Sequence, residues 1–453
     1  MHKVLVANRG EIALRIFRTC RALNIGTVAV YSEADKTALH VEAADTAICI
    51  GPSLARDSYL KSEAILDAAA QAGADAIHPG YGFLAENADF ARDVKAAGLT
   101  WIGPSPEVIE LMGDKQRARE VARKAGVPVV PGSERFDPGT TAGVEEAAMA
   151  VGFPLLVKAV AGGGGIGMRR VDSLANLLET VEATQSMASR AFGDGSVFLE
   201  RFVPRARHIE LQIFGFGDGK AVHFYERDCS VQRRFQKVIE ESPAPGLPVT
   251  VRNAMAEAAV KLAQAVSYGG AGTVEFIVDA DSLEFFFLEM NTRIQVEHPV
   301  TEMVVGCDLV KMQIDLVRGK LQAVSQDEFQ SRGHAIECRL YAENPAKRFM
   351  PSPGDLTVFN IPQDSEYIRI DSGYRAGDSV TPFYDPMLAK VIVWGATREE
   401  ARHRAIGALS AIQVEGLKTN LQFLMACLAN PAFADGDVHT GFIDKHHAEL
   451  LSC

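Results

Sequence analysis

The chain has 453 residues, with 46 Lys and Arg against 58 Asp and Glu, for a formal net charge of −12. Hydrophobic residues make up 47% and charged residues 23%, which sets aside disorder and collagen-like repeats and suits two to four domains at roughly 100–200 residues each. The acidic balance excludes the basic field on which most nucleic-acid affinity rests, and no apolar run nears the ~20 residues that span a bilayer. Met1–Ala7 enters an apolar strand directly, without the layout of a signal peptide. Seven cysteines, at 20, 49, 229, 307, 338, 427 and 453, form no CxxC pair. They read as reduced thiols, and a cytoplasmic protein without nucleic-acid or membrane partners is expected.

In chain order, Val4–Ala7, Thr27–Tyr31, Ala47–Ile50 and Trp101–Gly103 have the length and β-branched content of strands. Glu11–Leu23 and Ser62–Ala72 between them carry apolar residues at helical spacing. Such alternation predicts a parallel sheet whose polar chemistry lies in strand-end loops, here Asn8-Arg9-Gly10-Glu11 and His78-Pro79-Gly80-Tyr81-Gly82. No GxGxxG follows the first strand and no GxxxxGK[ST] occurs, so neither an NAD-type Rossmann enzyme nor a P-loop NTPase is expected. Prolines and glycines over 126–143 mark a boundary, a βα region runs from 151 to about Val203, and a second stretch covers 206–330. Val324–Arg332 reads as a linker before a final strand–helix region that starts near Gly333.

Three stretches carry chemistry. The first is Lys158-Ala-Val-Ala-Gly162-Gly163-Gly164-Gly165-Ile166-Gly167-Met168-Arg169, which follows the strand Pro154–Lys158. Glycines let backbone N–H groups converge on an anion, and Lys158 adds charge beside it; a flexible linker would normally mix in Ser. The second is a hairpin, Gly272–Val278 and Glu284–Asn291 around the turn Asp279–Leu283. A turn centred near Ser282 places Glu275 opposite Glu289, ~5 Å apart, a repulsion that a hard divalent cation relieves, with Asn291 as a further oxygen ligand. Val274, Phe276, Val278, Phe286 and Leu288 are expected on the core face. Third, every other residue from there is polar: Glu289, Asn291, Arg293, Gln295, Glu297. An extended backbone would align all five, although a solvent-facing edge strand shows the same alternation. The basic cluster Gln232–Lys237 suits a small anion or an exposed charged turn, and His208 and Glu210 alternate on a strand.

Together these stretches resemble the biotin carboxylases of the ATP-grasp superfamily. The matching motifs are Ala7-Asn-Arg-Gly-Glu-Ile-Ala13, His78-Pro-Gly-Tyr-Gly-Phe83, Met112-Gly-Asp-Lys115, the glycine loop, Glu226-Arg-Asp-Cys-Ser230, Glu289-Met-Asn-Thr-Arg-Ile-Gln-Val-Glu-His-Pro299 and Gly333-His-Ala-Ile-Glu-Cys-Arg339. The resemblance implies an α/β ATP-grasp fold: an N-terminal Rossmann-like parallel-sheet domain over 1–114, an ATP-grasp domain over 115–330 with a mobile lid at 131–203, and a C-terminal α+β domain over 334–446. It implies an ATP-dependent ligase that carboxylates biotin on a carrier protein through carboxyphosphate, as the first half-reaction of an acyl-CoA carboxylase. A urea or pyruvate carboxylase, or another ATP-grasp ligase, is the alternative.

Position by position, the resemblance makes Lys115 and Lys158 phosphate ligands and Gly163, Gly164, Gly165, Gly167 and Met168 the closing loop. Glu200, Arg201 and Val203 match the adenine segment, Ile277 and Leu288 its apolar walls, and His208 and Gln232 polar nucleotide contacts. Glu275, Glu289 and Asn291 match the site for Mg²⁺ or Mn²⁺. Lys237, Arg293, Gln295 and the Val296 backbone correspond to the bicarbonate site, Glu297 to the general base, and Tyr81, Gly82 and Arg339 to the biotin contacts. Ala161, Ile166 and Phe235 depart from the common pattern, and Ile166 resembles the loop of some urea carboxylases. With no Ala-Met-Lys-Met biotinyl site, the carrier is expected on another chain or in the rest of a longer protein. A carboxyltransferase subunit is the further partner, and a homodimer is one assembly the family allows.

Overall fold

The computed structural model describes residues 1–160, 167–321 and 324–451. Five strands, β1 (Lys3–Val6), β2 (Gly26–Ser32), β3 (Thr46–Gly51), β4 (Ala76–His78) and β5 (Thr100–Trp101), form a sheet in the order β3-β2-β1-β4-β5. Every pairing in it is parallel, as the strand–helix alternation predicts. Sequence reading did not single out β4, Ala76–His78, as a strand. Both anticipated loops leave the carboxyl ends of central strands, although the first is shorter than expected: Asn8 and Arg9 follow β1 and a helix, Gly10–Ala22, already begins at Gly10, while Pro79–Gly82 follows β4.

The region 131–203 has a three-stranded antiparallel sheet, β6 (Leu155–Ala159), β7 (Met168–Val171) and β8 (Val197–Arg201), with β6 in the middle. It closes a small core of its own from Val144, Ala148, Leu155, Val157, Leu177, Val181 and Leu199. The central glycines of the loop, Gly163, Gly164 and Gly165, lie outside the described residues, as do Ala161 and Ile166.

The largest sheet has eight strands, every pairing antiparallel: β9 (Ala206–Phe216), β10 (Ala221–Arg233), β11 (Gln236–Ser242), β12 (Gly269–Asp279), β13 (Phe285–Asn291), β14 (His334–Tyr341), β15 (Ile368–Ser372) and β16 (Met387–Gly395). Their order is β13-β12-β9-β10-β11-β14-β16-β15. The sheet therefore runs from the middle region into the C-terminal one without a break, joined where Glu240 faces Glu337 across β11 and β14. The stretch 324–332 is not a free linker. It holds a short 3₁₀ turn, Gln326–Glu328, with a capping box from Ser325 and Glu328. The Phe329 ring then packs edge-on against Phe224, 4.5 Å between centroids, because an aromatic residue in a polar stretch gains by reaching the core.

The hairpin β12–β13 forms in the register that the sequence predicts, with Glu275 opposite Glu289. A bulge follows: Phe276 pairs with Phe287, so Leu288 is the extra residue on β13. It corrects the expected core face, since Phe287, not Leu288, joins Val274, Phe276 and Val278 in the core. Phe286 pairs with Ile277 and lies 5.5 Å beneath the Arg201 guanidinium, and Leu288 turns into a cavity beside Glu289. Strand β13 also ends at Asn291 instead of running on to Glu297. His298-Pro299 starts a helix, His298–Val305, and the Val300 N–H already bonds to the Glu297 carbonyl, so residues 292–297 must turn.

Candidate active site

A cavity of about 830 Å³ opens above the eight-stranded sheet, between it and the loops after β1 and β4. Tyr81, Gly82, His208, Gln232, Lys237, Glu275, Leu288, Glu289, Asn291, Arg293, Gln295, Val296 and Arg339 all line it. Glu297 is buried and not among the lining residues, whereas Arg293 and Gln295 meet in the cavity although the backbone that carries them is not extended. Their side chains are gathered by hydrogen bonds: Arg293 donates to Gln295 at 2.8 Å and to Asn291 at 3.1 Å, and Gln295 to Glu275 at 3.2 Å.

At one end stand the facing carboxylates. Glu275 accepts from Lys237 Nζ at 2.8 Å and Asn291 Nδ2 at 3.0 Å, and lies 2.9 Å from His208 Nε2, while the other ring nitrogen, His208 Nδ1, lies 2.8 Å from Gln232 Nε2. Burial raises the Glu275 carboxyl, but Lys237 and His208 outweigh it and hold the carboxyl well below the usual range. Glu289 goes the other way: burial and the charge on Glu275 raise it, against Lys115 at the head of the helix Lys115–Lys124. The two facing carboxylates suit a hard divalent cation, because the repulsion on Glu289 is what such an ion would remove, while the Asn291 amide donates to Glu275 and its oxygen accepts from Arg293. Glu289→Gln should therefore raise the Tm slightly without nucleotide or metal. It should also weaken apparent Mg²⁺ affinity on the order of 10-fold or more in ATP turnover. Wild-type turnover at limiting Mg²⁺ would refute the facing-carboxylate argument.

Glu297 is fully buried and shares Lys237 with Glu275, its Oε1 2.7 Å from Lys237 Nζ and its Oε2 2.7 Å from Arg339 Nη2. Burial pushes its carboxyl up, yet Lys237, Arg339 and Arg227 hold it well below the usual range. Lys237 also bonds Glu210 at 2.6 Å, so three carboxylates keep its amine far above the ordinary lysine value against the pull of burial. The hairpin turn Arg234-Phe235 aims these groups. Both residues adopt positive φ, +48° and +64°, in a two-residue loop that places Gln232 and Lys237 as a facing pair. Of the basic cluster, Arg233 is buried against Glu343, while Arg234 and Phe235 form the exposed turn.

The predicted nucleotide residues on the three-stranded sheet are not among those that line this cavity. Glu200 on β8 accepts from Arg119 at 2.6 Å and also from Lys158 on β6. Lys158, Gly167, Met168, Glu200, Arg201 and Val203 all belong to the three-stranded sheet or its edges, and Lys115 is exposed.

Four contributors escaped sequence reading. Glu86 holds Arg293 Nε at 2.9 Å and the Thr292 N–H at 3.1 Å, and Glu11 accepts from the Tyr81 hydroxyl. Glu240 pairs with Arg339 at 2.6 Å, and Lys390 lies directly across β14–β16 from Arg339. Only Glu11 had a signal, its place in one of the two strand-end loops. Glu240 and Lys390 lie on strands with pairing partners distant in the chain, and Glu86 lies in a turn that meets Arg293 only in the folded chain.

The fold and the family match of the chain's middle region define a class, the ATP-dependent ligases of the ATP-grasp fold. Residues 1–109 match the family model for the biotin carboxylase N-terminal domain, and 337–445 that for the biotin carboxylase C-terminal domain. Residues 114–323 match the carbamoyl-phosphate synthase L chain ATP-binding domain. The chain is 49% identical to biotin carboxylase 1 of Bacillus subtilis (strain 168), over 98% of each chain. It is also 49% identical to the mitochondrial methylcrotonoyl-CoA carboxylase subunit alpha of Oryza sativa subsp. japonica, of which it spans 61%. The biotin carboxylase domain dimer of Hydrogenobacter thermophilus 2-oxoglutarate carboxylase, solved with MgADP, ADP and bicarbonate, superposes with a TM-score of 0.91 at 44% identity, covering 99% of this chain and 98% of that one. The chain belongs to the biotin carboxylase family and is an ATP-dependent ligase that carboxylates biotin.

Proposed function

We propose that the cavity, together with the three-stranded sheet of 131–203, works as two adjoining half-sites, one for ATP and bicarbonate and one for biotin on a carrier protein. The observation that carries this reading is Glu297, held 2.7 Å from both Lys237 and Arg339. In this assignment Lys115 and Lys158 hold the ATP phosphates under the loop of Gly163, Gly164, Gly165, Gly167 and Met168. Glu200, Arg201 and Val203 hold adenine between Ile277 and Leu288, with His208 and Gln232 as polar contacts. Glu275, Glu289 and Asn291 would hold Mg²⁺ or Mn²⁺, which would neutralise phosphate charge during transfer. Lys237, Arg293, Gln295 and the Val296 backbone bind bicarbonate.

Glu297 removes the bicarbonate proton, and the oxyanion so formed attacks the γ-phosphorus as the bond to ADP breaks, giving carboxyphosphate. Decay to CO2 and phosphate follows, and the phosphate takes the proton from the biotin ureido nitrogen. Arg339 stabilises the resulting planar enolate, with Tyr81 and Gly82 holding the ring, while the nitrogen attacks CO2.

The carrier and a carboxyltransferase are the partners in this reading, and an acyl-CoA is the final acceptor, as the rice relative's name supports. A homodimer is the proposed assembly, supported by the Hydrogenobacter domain dimer. Among the described residues no helix is long and apolar enough to cross a membrane. Buried free thiols at Cys20, Cys229, Cys338 and Cys427 support the cytoplasm as the compartment.

The purified chain should hydrolyse MgATP slowly, and faster with bicarbonate and free biotin. Free biotin should act weakly, because it lacks the effective concentration that a docked carrier supplies. No bicarbonate-dependent ADP release with free biotin or a biotinylated carrier would overturn the reading.

A further inference from the structure

Lys390 is fully buried and is not among the residues that line the cavity, yet it touches the bicarbonate segment directly and the Tyr81 loop through Glu11. It stands in register with Arg339 on one side and Asp371 on the other, so the three lie in line across β14, β16 and β15. Its Nζ donates to the Val296 carbonyl at 3.0 Å and pairs with Glu11 Oε2 at 3.1 Å, with Asp371 Oδ2 at 3.8 Å. Val296 belongs to the bicarbonate segment, between Gln295 and Glu297. The other oxygen of Glu11 accepts from the Tyr81 hydroxyl, on the loop assigned to biotin. One amine therefore bridges two loops that reach the cavity from different sheets.

Little slack remains around this bridge. Gly373, just past β15, is pressed against the loop after β1: a Cβ there would lie 2.9 Å from the Glu11 nitrogen and 3.1 Å from the Gly10 Cα. The Glu11 carboxylate is thus held between the C-terminal strands and Tyr81.

We propose that Lys390 is a positioning residue that, through Val296 and Glu11, fixes the separation of the bicarbonate segment from the Tyr81-Gly82 loop. This rests on the half-site assignment above. Carboxyphosphate decays into CO2 and phosphate, two small species that biotin must intercept before they leave. A shift of a few tenths of an ångström between the loops then costs coupling more than ATP binding, because capture depends on near-attack geometry.

The test uses the full chain with Lys390→Met, Glu11→Gln and the double variant. Each is assayed for the KM of ATP, bicarbonate and free biotin, and for the ratio of ADP released to CO2 fixed. Glu11→Gln keeps size and an acceptor oxygen, so it should fold. It should raise the biotin KM and the coupling ratio on the order of 10-fold, with the ATP KM unmoved. Lys390→Met should raise the bicarbonate and biotin KM together. The double variant should be no worse for biotin than Lys390→Met alone, because both act through one bridge. Loss of kcat that tracks Tm, with every KM and the coupling ratio unchanged, would make Lys390 purely structural and overturn the proposal. Should Lys390→Met fail to fold, an unchanged biotin KM and coupling ratio in Glu11→Gln overturns it alone. A wild-type chain without bicarbonate-dependent ADP release would instead overturn the half-site assignment.

Discussion

Glu297→Gln is expected to lower bicarbonate-dependent ATP cleavage by roughly 10²–10⁴-fold, the usual contribution of a positioned base, and biotin carboxylation with it. Both activities fall because both need the bicarbonate proton removed first. The protein should still fold. Lys237 keeps Glu210 at 2.6 Å and Glu275 at 2.8 Å, and Arg339 keeps Glu240 at 2.6 Å, so neither buried cation is stranded. The pH dependence has a definite sign. Because the folded carboxyl sits well below its ordinary value, the charge on Glu297 persists through the neutral range, and its ion pairs are lost only as pH falls through that depressed value. ATP cleavage should therefore show no acidic limb from Glu297 near neutrality. Steady-state ADP release at saturating bicarbonate checks this, and a variant with wild-type cleavage would remove Glu297 from the chemistry.

Arg339→Ala is expected to separate the two half-reactions. Carboxyphosphate should still form and decay, but carboxybiotin should fall on the order of 10²-fold, as when one preorganised donor is removed from a developing anion. The signature is a raised ratio of ADP released to labelled CO2 fixed. Burial already pushes Glu240 up to about 7 and Arg339 restrains it, so without the guanidinium Glu240 should rise further and go neutral. No stranded charge then unfolds the chain. Arg339→Lys should restore coupling only in part, because a point charge replaces a planar fork poorly. Unchanged coupling with losses that follow Tm would make Arg339 structural. Equal loss of both activities would point to a shared role in closing the site.

Local chemistry was legible wherever a short span of chain settles the geometry. The register of Glu275 against Glu289 followed from the hairpin turn alone, because pairing across five turn residues leaves few registers that bury Val274, Phe276 and Val278. The N-terminal parallel sheet followed from strand–helix alternation, which permits little else. The bulge at Leu288 was not legible: one extra residue leaves the hydrophobic pattern almost unchanged but moves Leu288 from core to cavity. Nor was the turn after Asn291, where polar alternation imitates an extended strand that His298-Pro299 cuts short.

The sequence by itself determined which residue types stand in which loops, and through its motifs the family and the reaction. Only the tertiary structure decided how those loops are held. Glu86 reaches Arg293 from 207 residues away, Lys390 reaches Val296 from 94, and Arg339 meets Glu297 from 42. Such partners leave no trace in local periodicity, because a buried carboxylate or amine on a strand reads like any polar strand residue until the neighbouring strand is known. What selects them is the cost of burying a charge unpaired, and that cost arises only once the eight-stranded sheet has assembled.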